Sequence, residues 1–115
     1  MNHSTIKVFL LMLILASALN SATLKASQTD ALSLANQGVE LYNRGNYAGT
    51  IERMNQALSV EPSLAEAAYY LGLSYMQQDQ RAQAKTWFNH YLRLAPNGAN
   101  SGEARQYLEY LNSLP

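Results

Sequence analysis

The chain has 115 residues, with 8 Lys and Arg balanced by 8 Asp and Glu, 48% hydrophobic residues and no cysteine. The length allows a single domain. Lack of cysteine excludes a disulfide framework, a thiolate metal site and a cysteine nucleophile. Balanced charge gives no electrostatic basis for binding nucleic acid or an anionic membrane, which depends on Lys and Arg meeting phosphates.

Residues 1–18 read as a secretory leader. One basic residue, Lys7, and no acid precede eight apolar residues, Val8 to Leu15, which run into the small-x-small triplet Ala16-Ser17-Ala18. The apolar stretch to Leu19 is interrupted by Ser17 and falls short of the roughly 20 residues that cross a bilayer core. Cleavage is expected after Ala18, with Ala22 as the alternative, and no stable membrane insertion is expected afterwards. Export follows, to the periplasm if the cell is bacterial; secretion, or retention by an uncleaved N-terminal anchor, is the alternative. Residues 19–30 alternate small and polar side chains without an apolar period and read as a flexible lead-in.

From there the chain repeats. Pro62 and Pro96 lie 34 residues apart, and in the same register Gly38 matches Gly72, Leu41 matches Tyr75, Tyr42 matches Met76 and Met54 matches Phe88. Each unit carries two helical stripes. Leu34, Leu41 and Tyr42, then Ile51, Met54, Ala57 and Leu58, mark the first unit; Ala68, Leu71, Gly72, Tyr75 and Met76, then Ala84, Trp87, Phe88, Tyr91, Leu92 and Leu94, mark the second. Gly45 and Asp79 stand where a helix end favours positive φ. Each Pro follows a second helix, whose hydrogen-bond ladder it cannot continue. Glycine inside a helix is about 0.8–1 kcal/mol worse than alanine, so Gly38 and Gly72, in one register, predict close approach by a neighbouring helix. After the turn at residues 97–100 a last helix is expected. Asn100 or Ser101 would cap it, with Glu103 answering an Asn100 cap. Its apolar stripe is Tyr107, Leu108 and Leu111, and Glu103, Arg105, Gln106 and Glu109 form a solvated outer face.

The 34-residue spacing, Leu71-Gly72-x-x-Tyr75, Ala84, Phe88 and Pro96, with Gly38, Tyr47, Ala57 and Pro62 in the first unit, resemble the tetratricopeptide repeat family. The resemblance implies an all-α fold, a right-handed α-solenoid with repeat 1 at 31–64, repeat 2 at 65–98 and a capping helix within 99–115. Thr50, Gln37 and Tyr91 depart from the family pattern, which favours alanine, leucine and a small residue there. Tyr91 is expected to widen the last contact, against Ala99 or Gly102.

The resemblance also implies a non-enzymatic adaptor or scaffold that binds a protein or peptide in a concave groove lined by the first helix of each hairpin. Here that groove maps to Leu32, Ala35, Asn36, Val39 and Asn43, then Glu66, Tyr69, Tyr70, Leu73 and Gln77. Tyrosines anchor interfaces, and Asn and Gln amides pair with peptide backbone. The Lys and Asn clamp by which one subclass grips a C-terminal carboxylate is missing, since Ala35, Val39 and Tyr70 occupy the matching places. A structural module that homo-oligomerises through an uncovered first helix is the rival expectation. No catalytic, cofactor or metal site is expected: beyond the leader there is one histidine, His90, read as half-exposed, and the carboxylates are scattered.

Overall fold

The computed structural model describes residues 3–115, except for the side chains of residues 9, 11 and 13–26. The leader expected over 1–18 therefore falls largely outside the described side chains. Five helices and no strand occur among the described residues: α1 His3–Asn43, α2 Tyr47–Val60, α3 Ala65–Gln77, α4 Arg81–Leu94 and α5 Ser101–Ser113. α1 and α2, like α3 and α4, form antiparallel hairpins that stack side by side, with α5 against α4. The architecture is the expected α-solenoid of helical hairpins with a final helix.

α1 corrects one expectation. Residues 19–30 continue the helix instead of forming a loose lead-in. Neither Gly nor Pro occurs between His3 and Gln37, so no residue interrupts a backbone ladder nucleated further along, even where the side chains show no apolar period. Among the described residues no helix is long and apolar enough to cross a membrane.

The hairpin turns follow the local sequence. Gly45 at φ 78° and Asp79 at φ 57° reverse the chain after α1 and α3. Asn46 caps α2 by accepting from the Gly49 N–H at 2.9 Å. Pro62 and Pro96 lie just beyond the ends of α2 and α4.

Both in-register glycines lie against the second helix of their own hairpin. A Cβ on Gly38 would sit 2.8 Å from Met54 Cε, and one on Gly72 2.7 Å from Phe88 Cδ1 and Cε1. Met54 and Phe88 are fully buried and are themselves 34 residues apart. Small Ala35, Ala57 and Ala67 join Met54 and Leu71 in the core between the hairpins. A second cluster, Ala68, Tyr69, Leu73, Ala84, Phe88, Tyr91, Ala104 and Leu111, joins the second hairpin to α5. Thr50, where the family favours alanine, is also buried; its Oγ1 lies 3.1 Å from the Gly38 carbonyl oxygen and 3.0 Å from that of Asn46. The hydroxyl thus has a partner across the hairpin or down its own helix.

The two outer faces show how the stack ends. Ala67 and Leu71 of α3, with Leu64 just before it, pack into the core shared with α2. Their counterparts 34 residues earlier are Ser33, Gln37 and Asp30, and all three are exposed. Gln37, where the family favours leucine, is exposed on the face of α1 that no helix among the described residues covers. At the other end, Ala68, Gly72 and Tyr75 face α4, whereas their counterparts Gly102, Gln106 and Glu109 on α5 are exposed. Terminal units of a stack need such polar outer faces.

Substitution of the glycines tests this packing. Gly72→Ala drives a methyl into a rigid ring, and a loss of about 1–3 kcal/mol is expected. Gly38→Ala meets the flexible end of Met54 and should lose less, offset by the better helix propensity of alanine. Gly102 has no heavy atom within 4 Å of its would-be Cβ, and Gly102→Ala should be neutral or stabilising by up to about 1 kcal/mol. Urea midpoints followed by circular dichroism should fall in that order, with Gly72→Ala lowest.

Candidate functional site

The residues expected to line the groove divide into two groups. Leu32 is 51% exposed, Asn36, Asn43, Glu66 and Gln77 are exposed, and Val39 and Tyr70 are half-buried. Ala35 is buried among the residues that join the two hairpins. Tyr69 and Leu73 are only 5% and 7% exposed and belong to the core beneath α5. Of the residues expected to line a groove, the accessible ones therefore lie on α1 and along the outer edge of α3.

α5 is what covers the rest. The Tyr69 hydroxyl donates to Glu103 Oε2 at 2.7 Å, and its ring approaches Tyr91 at 5.3 Å and Phe88 at 6.0 Å. Tyr107 stacks on Phe88 with centroids 5.3 Å apart. Glu103, expected to answer a cap at Asn100, instead turns toward Tyr69. Asn100 is the N-cap residue of α5 but makes no side-chain capping bond. Its backbone N–H donates to Tyr91 Oη at 3.0 Å, and that same oxygen would lie 2.6 Å from a Cβ on Gly98. Tyr91 thus meets Gly98 and the Asn100 N–H, away from the open side of Gly102, and its hydroxyl ties the 97–100 turn to α4. The family's small residue at this place has no polar group that could make this bond.

Tyr42, assigned from the sequence to an apolar stripe, turns out to be part of the face. It is half-buried, and its ring lies edge-on to Tyr47 at 5.3 Å and to Tyr70 at 5.4 Å. Tyr70 in turn lies edge-on to Tyr69 at 5.9 Å. These edge-to-face contacts carry a continuous row of tyrosines from the first hairpin to the second, each worth about 0.5–1.5 kcal/mol beyond the area it buries. Only the helix crossing brings Tyr42 and Tyr70 together, and no spacing in the chain signals it. Burial raises the pKa of Tyr42, Tyr69 and Tyr70; Gln77 opposes the shift at Tyr42, and the nearby carboxylates Glu103 and Glu66 add to it at Tyr69 and Tyr70.

Two hollows flank these elements. A cleft of about 270 Å³ is lined by Gln28, Ala31, Leu32, Glu61, Ser63 and Leu64, between α1 and the turn that leads into α3. A shallower hollow of about 180 Å³ on α4 is lined by Thr86, Trp87, His90 and Arg93. His90 is half-buried there, edge-on to Trp87 at 5.6 Å, with its Nδ1 3.3 Å from Arg93 Nη2. Among the described residues no group of three His, Cys, Asp or Glu could hold a metal ion.

A raised tyrosine pKa means that the unfolded chain loses its proton first as pH climbs. Stability should hold up to about pH 10, the ordinary tyrosine value, and fall above it. Tyr69→Phe should lower stability by about 1 kcal/mol at neutral pH through loss of the bond to Glu103. It should also flatten the alkaline fall, as read by denaturation at a series of pH values.

The tetratricopeptide repeat family model matches residues 65–97, which span α3 and α4. No curated protein matches the chain. Repeats of this family generally mediate protein–protein interaction and are typically non-enzymatic. The second hairpin is therefore similar to a tetratricopeptide repeat, and the first hairpin repeats it in register, with Gly38 on Met54 as Gly72 is on Phe88.

Proposed function

We propose that the protein is a non-enzymatic adaptor that holds a segment of a protein partner along the open part of its concave face. The observation that carries this reading is the row Leu32, Asn36, Val39 and Asn43 on α1 beside Tyr70 and Gln77 on α3. A large exposed apolar side chain, a half-buried valine and a half-buried tyrosine there alternate with amides that can pair with a peptide backbone. The leader reading of residues 1–18 places this adaptor outside the cytoplasm, in a bacterial envelope or secretion-related assembly. Exposure of Ile6, Val8, Leu10 and Met12 supports it, because these residues contribute nothing to the packed core.

Pull-down from envelope extracts tests the face. A Leu32→Ser/Asn36→Ala variant, with both changes at exposed positions and helicity checked by circular dichroism, should lose the partner recovered by the parent chain. Undiminished recovery would reject the assignment. The rival, self-association through the first helix, is disfavoured by the polar outer face of Asp30, Ser33, Gln37 and Glu40. Light scattering over a dilution series should find a monomer.

A further inference from the structure

The shallower hollow, on α4, is lined mostly by side chains that donate hydrogen bonds. We propose that it receives the carboxylate of a glutamate or aspartate side chain from a partner segment. That gives the protein a second contact surface, independent of the row on α1 and α3.

One face of α4 builds it. Thr86, His90 and Arg93 stand at i, i+4 and i+7 with Trp87 beside them, while Ala84, Phe88 and Tyr91 enter the core. The Trp87 ring is half-buried and packs against both core clusters, which makes it a fixed wall. Its Nε1–H has no acceptor among the described residues. Arg93 Nη2 lies 3.3 Å from His90 Nδ1. A guanidinium only donates, so Nδ1 accepts and the imidazole keeps its proton on Nε2. Thr86 gives its own hydroxyl proton to the Ala82 carbonyl at 3.1 Å. The lining of this hollow of about 180 Å³ thus holds N–H groups of an indole, an imidazole and a guanidinium, with one fixed positive charge.

No acid of the chain neutralises that charge. All 8 Asp and Glu side chains lie among the described residues, and the one ion pair there joins Asp79 to Arg81. α4 itself carries Arg81, Lys85 and Arg93 and no carboxylate. On α5, which packs against it, Glu103 is held by the Tyr69 hydroxyl. Arg93 therefore stands exposed with only His90 as a side-chain partner.

The chemistry of the lining selects among ligands. An apolar side chain would cover the indole ring but strip water from Arg93 and the indole N–H and return no acceptor. Lysine or arginine would meet Arg93 as a like charge. A phosphate dianion brings more charge than a single cation balances. A carboxylate brings one charge, its two oxygens accept from guanidinium and indole, and the methylenes behind it lie on the ring.

Trp87 is the only tryptophan of the chain, so its indole N–H gives one NMR signal that reports on the hollow. Capped Ala-Glu-Ala titrated into the isotope-labelled full chain should move that signal downfield, whereas the glutamine and lysine counterparts should leave it in place. Arg93→Gln, at an exposed position, should weaken the glutamate peptide about tenfold through loss of a charge-assisted hydrogen bond. Lys85→Gln removes a charge of the same helix outside the lining and should change the affinity little. Equal response to the glutamine peptide, an unchanged affinity in Arg93→Gln, or equal weakening by both variants overturns the carboxylate site. A tighter response to inorganic phosphate overturns it as well, leaving an adventitious anion site only. The Leu32→Ser/Asn36→Ala variant should bind the glutamate peptide as the parent does, so that the hollow and the concave face are judged separately.

Discussion

The structure depends on a single contact made twice. In each hairpin a glycine of the first helix gives up its side chain so that the second helix can press a large residue against its backbone, Met54 on Gly38 and Phe88 on Gly72. The loss in helix propensity is about 1 kcal/mol at each glycine, and the return is a fully buried thioether or ring. The consequences spread outward. Close helices put Ala35, Ala57 and Ala67 at the junction between hairpins, and that junction sets the angle at which Tyr42 of one hairpin meets Tyr70 of the next. The accessible row on α1 and α3 is therefore a product of how closely the helices approach.

A stack of identical units would have sticky ends, and this chain removes both with the register unchanged. Where α3 shows leucine and alanine to its neighbour, α1 shows Asp30, Ser33 and Gln37 to solvent; where α3 turns Ala68, Gly72 and Tyr75 toward α4, α5 has Gly102, Gln106 and Glu109. Polar residues at these places leave little apolar surface to attract another unit. α5 also leans across the stack, sealing Tyr69 and Leu73 beneath it and holding Tyr69 through Glu103. α5 thus decides how much of the α3 surface beside α1 stays open.

Departures from the family pattern mark the places where this chain made its own arrangements. Thr50 gives a buried hydroxyl a partner in the Gly38 carbonyl. Tyr91 replaces a small residue and uses its hydroxyl to anchor the turn before α5. Gln37 stands at an uncovered surface. Each change pairs a side chain with a neighbour, or a lack of one, that the pattern alone does not contain.

Much of the fold was legible in the chain itself. Thirty-four-residue spacing, paired prolines, turn residues at Gly45 and Asp79 and apolar stripes at helical period follow from local rules that operate within a few residues, and they located four of the helix boundaries and the buried glycines. Local rules missed the continuation of α1 through residues 19–30, because a helix without breakers extends regardless of amphipathic period. They also could not place Glu103, which serves a tyrosine 34 residues away in place of its own helix end. Burial of Tyr69 and Leu73, exposure of Leu32, the row of tyrosines and the cleft at Glu61 arise from contacts between helices distant in the chain. Such contacts depend on the angles at which helices cross, and those angles are decided by the packed core as a whole.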